Sequence, residues 1–262
     1  MTHTTGHVAW ISIAPVKSMA LVPLELAVLE TTGIVGDRAF AVLDPEDRLV
    51  NGKRLGPMAR IRPDYDPIGR TLALHFPDGS VAAGPIELGP TYIAPFRTRP
   101  RAVQPVIGPW SEAISAWAKQ PLHLVALAEL GDGVDRGPSA TLVSAAALLE
   151  LARAGGVDEP LDQRRFRMTF GVDGVEAYAE DGWVGRKVRI GDAVVHVDGN
   201  VGRCAVTTQD PDTGYPTFDT LHVLNETRGS LETTEPLPFG VWSDVVEPGL
   251  VRLGDRVELV DA

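Results

Sequence analysis

The sequence predicts an α+β fold that is mostly β, with two β-barrel-like domains and a few helices between them. Turn-forming residues are frequent, with 27 glycines and 21 prolines in 262 residues, so most segments between them are short. Many of these segments alternate apolar and polar side chains, which is typical of strands. The two helical patterns lie near the middle of the chain and separate two strand-rich halves, which favours this class.

Short apolar segments predict strands throughout the chain. One of them, 187–197, contains Gly191 and Asp192 between two alternating runs, and this pattern predicts a hairpin turn. Another, 203–209, carries Cys204 and ends at the turn-forming sequence DPDTG. The predicted strands are residues 7–14, 24–30, 38–44, 71–76, 122–128, 187–197, 203–209 and 255–260.

Two segments predict helices. Residues 109–119 place three large apolar side chains at helical spacing, after a proline that suits the first turn. Residues 144–156 begin with Ser144, which suits an N-cap, and end at two glycines that would stop the helix. The sequence therefore predicts helices between the two strand-rich halves.

Composition excludes several classes of protein. The chain has 35 acidic and 24 basic residues, a net charge of −11, which argues against nucleic-acid and anionic-membrane partners. No apolar run reaches the about 20 residues that a membrane helix needs, and the N-terminus lacks the pattern of a signal peptide. The single cysteine, Cys204, excludes an internal disulfide and a cysteine-rich metal site. We therefore expect a cytoplasmic protein.

Two stretches in the first half carry polar residues next to strands. Lys17 and Ser18 directly follow an apolar strand, and such a pair can hold a phosphate through its ammonium and hydroxyl groups. Solvated loop residues are the alternative. Asp37 and Arg38 follow two glycines and open the next strand. These two residues could simply pair with each other near the turn.

Two stretches in the second half contain residues that could bind a ligand or act in catalysis. The sequence RRFRMTF contains Arg164, Arg165 and Arg167, whose guanidinium groups match phosphate oxygens in pairs, although salt bridges to carboxylates are an equal alternative. Cys204 follows Arg203, and a thiolate can ligate a metal or act as a nucleophile. From the residues alone, a buried structural cysteine is the favoured interpretation.

Taken in order, these stretches resemble one family. Residues 11–44, with a strand ending in Pro-x-Lys-Ser and a following Gly-x-x-x-Asp-Arg, resemble the N-terminal β-barrel domain that precedes MOSC domains. The stretch from RRFRMTF to the C-terminal strand resembles the MOSC domain itself, most specifically in Arg-Cys and DPDTG. Within the family, the chain is most similar to amidoxime-reducing components of mitochondria and their bacterial relatives. The resemblance implies domains at residues 1–125 and 126–262.

The resemblance implies a molybdenum cofactor between the two barrels. Cys204 matches the cysteine that ligates molybdenum, and Asp210 matches an aspartate close to the metal, so these two form the implied catalytic set. Lys17, Ser18 and Arg38 match residues that hold the cofactor's phosphate end. The full set of implied cofactor-binding residues is Lys17, Ser18, Arg38, Ser144, Arg167, Thr169 and Arg203.

The chain also departs from the family pattern. Met168 and Thr169 stand where relatives have Pro-Asn, and a threonine replaces only part of an amide's hydrogen-bonding capacity. Ala147 stands where relatives often have a second serine near the helix start, and residues 200–202 lack the cysteine or serine that often precedes the metal ligand. These departures predict weaker retention of the cofactor.

The resemblance implies a reductase of small N-oxygenated compounds, namely amidoximes, hydroxylamines and N-oxides. Because the chain lacks flavin, haem and iron–sulfur motifs, electrons would come from a separate donor protein that carries such a group and docks on the acidic surface. A sulfur-handling role at Cys204, as a persulfide carrier or in carbon–sulfur bond cleavage, is an alternative. A non-catalytic carrier of the molybdenum cofactor is another. Loops 129–139 and 227–238 are the predicted sites of substrate selection.

Overall fold

The computed structural model describes residues 5–96, 100–127 and 140–260. The strands are β1 (Thr5–Ile13), β2 (Val22–Leu24), β3 (Leu26–Glu30), β4 (Gly33–Ile34), β5 (Phe40–Leu43), β6 (Arg62–Asp66), β7 (Thr71–His75), β8 (Val81–Pro85), β9 (Glu87–Leu88), β10 (Tyr92–Ala94), β11 (Arg101–Ile107), β12 (His123–Leu127), β13 (Ala140–Ser144), β14 (Phe170–Asp173), β15 (Lys187–Ile190), β16 (Ala193–Gly202), β17 (Pro238–Glu247), β18 (Gly249–Arg252) and β19 (Arg256–Val260). The α-helices of these ranges are α1 (Trp110–Ala118), α2 (Ala145–Ala154) and α3 (Thr220–Arg228). Short 3-10 helices span Gly56–Arg60, Gln163–Phe166, Ala179–Trp183 and Ala205–Thr208. The predicted class, mostly β with a few helices, is confirmed.

Seven strands close into a barrel in the order β14-β13-β17-β16-β15-β19-β1, because β1 also pairs with β14. The interior is filled by aliphatic and aromatic side chains that are almost fully buried, among them Ile11, Leu142, Phe170 and Val195. Strand β2 extends the sheet beyond β1. Burial of this apolar set is the main force that holds the barrel together.

Smaller sheets form the rest of the first half. One contains β10-β11-β12-β5, with β9 alongside β11, and another contains β6-β7-β8. Helix α1 packs against them through Trp110, which is fully buried and donates its Nε1–H to the Leu72 carbonyl at 3.1 Å. A partner for the indole nitrogen is needed because a buried unpaired donor is costly.

The two halves of the chain share sheets. Strand β1 of the first half is an integral barrel strand, and β3 pairs with β18 in a three-stranded sheet with β4. The division at residues 1–125 and 126–262 stays a prediction about sequence segments. In space, the start of the chain completes the barrel of the second half.

Most of the predicted elements are confirmed. Helices α1 and α2 begin after Pro109 and Ser144, as the sequence indicates, and Gly191 turns between β15 and β16 with φ of +56°. Helix α3 and strand β13 were not predicted; α3 begins after Asp219, whose side chain accepts a hydrogen bond from the His222 N–H. None of the helices in the described ranges has the length and apolarity needed to cross a membrane.

The strand predicted at residues 203–209 is wrong. Strand β16 ends at Gly202, and Cys204 precedes the 3-10 helix Ala205–Thr208. The N–H and the hydroxyl of Thr207 both donate to the Cys204 carbonyl at 3.0 Å. The Thr208 hydroxyl likewise donates to the Ala205 carbonyl at 2.8 Å. Threonine hydroxyls that bond to the local backbone compete with strand pairing, and here they stabilise the turn.

The DPDTG turn docks on the first half of the chain. Gly214, with φ of +76°, lies against Gly56 so closely that a β-carbon on either residue would overlap the backbone of the other. Next to this contact, Gln209 Nε2 donates to the Gly52 carbonyl at 2.8 Å. Because this approach leaves no space for a side chain, both glycines are required by packing.

Replacing Gly214 with alanine should therefore lower the free energy of unfolding by more than the strain of a left-handed backbone conformation alone. Gly254 is the matched control, because its φ is +82° and an added β-carbon there meets nothing within 4 Å. We expect Gly214→Ala to lower the free energy of unfolding by about 1–3 kcal/mol more than Gly254→Ala, measured by urea denaturation. Equal losses in the two variants would show that the close contact does not form.

Candidate functional site

A cavity of about 950 Å³ lies where the two halves of the chain meet. Eight of its lining residues are basic, although the chain as a whole carries a net charge of −11. They are Lys17, Arg38, Arg48, Lys53, Arg54, Arg165, Arg167 and Arg203. Glu235 is the one acidic residue among the described residues that line it. This concentration of positive charge makes the cavity suited to an anionic ligand.

Six of the nine predicted site residues line the cavity: Lys17, Ser18, Arg38, Arg167, Arg203 and Cys204. Lys17 and Ser18 follow β1, and the Lys17 N–H donates to the Phe40 carbonyl at 2.8 Å. The pairing fixes this segment beside the start of β5. Residues that are far apart in sequence are thus brought together by strand pairing.

Arg38 belongs to an ion pair and also lines the cavity. Its guanidinium binds the fully buried Asp37 carboxylate and donates from NH2 to the Arg167 carbonyl at 3.1 Å. The other Asp37 oxygen accepts from the Ala14 N–H at 2.7 Å. Asp37 and Arg38 therefore pair with each other, and Arg38 also lines the cavity. A buried carboxylate held by these donors keeps the arginine in place.

Three cavity residues have left-handed backbone conformations. The φ angles are 71° for Ser18, 45° for Arg38 and 54° for Arg167, although none of them is glycine. Such conformations are costly for residues with a β-carbon, and they persist where the surrounding structure imposes them. Their concentration at one cavity is typical of a functional site.

Arg203 lines the cavity but directs most of its hydrogen bonds into the protein. Its Nε donates to the Phe239 carbonyl and its NH1 to the Phe166 carbonyl, both at 2.9 Å, and NH2 contacts Met168 Sδ at 2.7 Å. The guanidinium lies 5.6 Å and 5.7 Å from the centroids of the Phe166 and Phe239 rings. Arg203 therefore positions the segment that carries Cys204. The Met168 sulfur is an acceptor for Arg203 that the proline found in relatives would not provide.

Cys204 lies half-buried at the cavity wall and is the only thiol of the chain. Its carbonyl is fixed by Thr207, and its neighbour Arg203 is anchored as described. A thiol that reaches a basic cavity from a rigid turn can ligate a metal as the thiolate.

Thr169 does not line the cavity, and Thr141 does. Thr169 is buried, its N–H donates to Thr141 Oγ1 at 2.8 Å, and the two hydroxyl oxygens lie 3.2 Å apart. Sequence reasoning missed Thr141 because it missed strand β13. Of these two threonines, the one that lines the cavity is therefore Thr141 and not the predicted Thr169.

Ser144 lies outside the cavity lining and is fully buried. Its hydroxyl accepts from the Tyr178 N–H at 2.9 Å and lies near the buried Glu180. Burial raises the pKa of Glu180 to about 7, against the opposing effect of the Ser144 hydroxyl. Ala147, where relatives often have serine, packs in the core of α2. Ser144 and Ala147 therefore both contribute to the packing around α2.

Asp210 also lies outside the cavity lining. Its Oδ1 accepts from the N–H groups of Asp212 and Thr213, both at 3.0 Å, which forms the DPDTG turn. Its Oδ2 lies 3.8 Å from NH2 of Arg165. The contacts of Asp210 are those of a residue that shapes the turn.

Arg165 is a cavity residue to which the sequence assigned no individual role. NH1 donates to the Thr208 carbonyl at 3.1 Å, and NH2 donates to the Thr217 hydroxyl at 2.6 Å. Its side chain is 9% exposed, and its Nε has no hydrogen-bond partner within the described ranges. Burial lowers the pKa of Arg165, and the nearby Asp210 opposes this. Its place in the arginine-rich stretch was the only sequence signal.

The two loops predicted for substrate selection have different outcomes. Loop 227–238 contributes Glu235 to the cavity lining. Loop 129–139 lies entirely outside the described residues.

Comparison with protein-family models identifies the chain. The MOSC domain model matches residues 137–258, and the MOSC N-terminal beta barrel domain model matches residues 5–121. The chain therefore contains a MOSC domain preceded by a MOSC N-terminal beta barrel domain. The resemblance seen in the sequence is therefore confirmed, and the MOSC match covers the segment that contains Cys204.

Curated relatives of this MOSC protein are enzymes named for molybdenum-related or amidoxime chemistry. Mitochondrial amidoxime-reducing component 1 of Xenopus laevis is 26% identical over 96% of this chain and 81% of its own length. The Homo sapiens protein of the same name is 27% identical over 97% of this chain and 83% of its own. Molybdenum cofactor sulfurase of Drosophila grimshawi is 28% identical over 82% of this chain but only 29% of its own length.

Glu180 gives a pH-dependent prediction for this MOSC protein. The folded carboxyl keeps its proton up to about pH 7, and the unfolded one only to its ordinary value of 4.5. Proton binding by Glu180 therefore stabilises the folded state at low pH. The free energy of unfolding loses about 3 kcal/mol as pH rises from 4.5 to 7, and the loss is complete above 7.

Glu180→Gln should remove this loss, because a neutral amide does not titrate. We expect urea denaturation at pH 5 and pH 8 to show a smaller decrease for Glu180→Gln than for the wild type. Glu30→Gln, at an exposed strand position, is the control and should behave like the wild type. An unchanged decrease in Glu180→Gln would contradict the assignment.

Proposed function

We propose that this MOSC protein is a molybdenum-cofactor-dependent reductase of small N-oxygenated compounds. One observation carries the proposal: the single thiol of the chain and a set of basic and hydroxyl side chains suited to a phosphate line the same cavity in a MOSC protein. The relatives named for amidoxime reduction cover nearly the whole chain, which supports this choice of reaction.

The residues present fit the cofactor. Lys17, Ser18 and Arg38 offer an ammonium, a hydroxyl and a guanidinium at one part of the cavity, and these are the donors that a phosphate dianion requires. Arg167, whose carbonyl accepts a hydrogen bond from Arg38, also lines the cavity and offers a further guanidinium. Cys204 offers the thiolate that high-valent molybdenum prefers. Met168 and Thr169 direct their polar atoms at other protein groups, and weaker retention of the cofactor because of these two residues stays a prediction.

When bound, the cofactor would supply two-electron chemistry at an N–O bond. Reduction of an amidoxime takes up two electrons and two protons, breaks the N–O bond, and releases an amidine and water. The protein would hold the phosphate end through Lys17, Ser18 and Arg38, and Cys204 would offer its sulfur to the metal at the cavity wall. Arg203 would keep the turn of Cys204 rigid through its bonds to the Phe166 and Phe239 carbonyls.

Electrons would come from a separate protein. One cysteine cannot hold an iron–sulfur cluster, and the sequence contains no flavin- or haem-binding motif. A donor protein that carries one of these groups is therefore part of the proposal. A cytoplasmic location also stays a prediction.

The decisive experiment measures molybdenum and oxidised pterin in protein purified from a host that makes the cofactor. We expect both in near-equal amounts, together with reduction of benzamidoxime driven by a reduced dye. Cys204→Ala should retain the pterin and lose the reduction, because it removes the metal ligand and leaves the phosphate contacts. Lys17→Gln should lower the retained pterin, because it removes a phosphate donor.

Lys187→Gln, at an exposed position on β15, is the control and should match the wild type in both measurements. Pterin without metal or reduction would favour a cofactor carrier over a reductase. Absence of both metal and pterin would overturn the proposal and leave the sulfur-handling alternative at Cys204. Full reduction by Cys204→Ala would also overturn it.

A further inference from the structure

The segment 44–54 separates its charges by sign. Its basic side chains line the cavity, and its acidic side chains do not. The basic residues are Arg48, Lys53 and Arg54, and the acidic residues are Asp44, Glu46 and Asp47. A segment with equal numbers of both charges thus presents a positive surface to the cavity.

Asp44 holds the two arginines of this segment. It is buried, and its Oδ2 accepts from Arg48 Nε and from Arg54 NH2, both at 2.9 Å. Although burial raises its pKa, hydrogen bonds from the Arg48 N–H and from both guanidinium groups lower the pKa of Asp44 to about 2. Arg54 also donates from NH1 to the Leu49 carbonyl at 3.1 Å. The carboxylate therefore fixes Arg54 at the cavity while leaving its other N–H donors available.

Lys53 extends this positive surface. Its N–H donates to Asn51 Oδ1 at 3.0 Å, which fixes the backbone of the loop. Its ammonium is exposed at the cavity and makes no ion pair within the residues that the structure describes. Lys53 thus adds to the cavity lining a cation that no carboxylate of the described ranges pairs with.

The loop that carries Lys53 lies over the turn that carries Cys204. A β-carbon added to Gly52 would lie 3.3 Å from Val206, and Gln209 donates to the Gly52 carbonyl at 2.8 Å. By contrast, Lys17 follows β1 and its N–H donates to Phe40 at the start of β5. Arg38 lies between β4 and β5 and donates to the Arg167 carbonyl. The cavity therefore has two groups of cations, one near the proposed phosphate set and one near Cys204.

We propose that the second group selects substrates that carry an anionic group in addition to the N–O bond, and that Lys53 and Arg54 hold this group. This inference rests on the proposed function, because it places substrate near Cys204. The bound group is a carboxylate or a phosphate, since an ammonium and a guanidinium with free donors bind either. A neutral N-oxygenated compound would lack this contact.

Two other uses of the cations predict different results. If Lys53 served cofactor binding, its replacement would lower the pterin content, as Lys17→Gln should. If it served docking of the electron donor, its replacement would have no effect in an assay driven by a small dye. Both uses are therefore separable from substrate selection in one set of measurements.

The experiment compares benzamidoxime with 4-carboxybenzamidoxime as substrates of the cofactor-loaded enzyme, with a reduced dye as electron source. We expect kcat/KM to be about tenfold higher for the carboxylate, and this preference to decline at high salt. Lys53→Gln should remove most of the preference by raising KM for the carboxylate alone, with unchanged pterin content. Lys187→Gln is again the control and should retain the preference.

Equal kcat/KM values for the two compounds in the wild type would overturn the inference, as would a full preference in Lys53→Gln. If neither compound is reduced, the proposed function fails, and calorimetric titration of 4-carboxybenzamidoxime tests the anion site alone. Binding by the wild type that is lost in Lys53→Gln would support the site. Absence of binding, or equal binding by both proteins, would overturn it as well.

Discussion

The ion pair of Asp37 and Arg38 is the interaction on which the cavity depends. The buried carboxylate binds the Ala14 N–H at the end of β1, and the guanidinium reaches the Arg167 carbonyl in the second half of the chain. One pair thus fixes the start of the Lys17 segment, the start of β5 and the left-handed turn at Arg167. A buried charge that lost its partner would be strongly destabilising, so this pair holds all three together.

The cavity gathers positive charge in a strongly acidic protein. Its basic residues come from both halves, and carboxylates fix some of them in place: Asp44 binds both Arg48 and Arg54, and Glu46 also pairs with Arg48. Net charge therefore gives little information about the ligand of this site, because the local field near a cavity is set by its own walls. An acidic exterior and a basic interior surface are compatible in one chain.

The departures from the family pattern are accommodated by neighbouring residues. Met168 accepts from Arg203 and packs on Gly240, where φ is +76° and an added β-carbon would lie 2.5 Å from the methionine methyl group. Thr169 pairs with Thr141, which is itself at the cavity. These side chains replace lost contacts with contacts inside the protein.

The sequence by itself determined the mostly β class, helices α1 and α2, the Gly191 hairpin and the family, because these depend on local periodicity, turn residues and ordered motifs. It also identified as candidate site residues six that line the cavity, namely Lys17, Ser18, Arg38, Arg167, Arg203 and Cys204. The tertiary structure decided the rest, since strand pairing and packing join residues that are distant in sequence. Only the fold closed the barrel with β1, turned Ser144 and Asp210 away from the cavity, and brought Lys53, Thr141 and Arg165 to it.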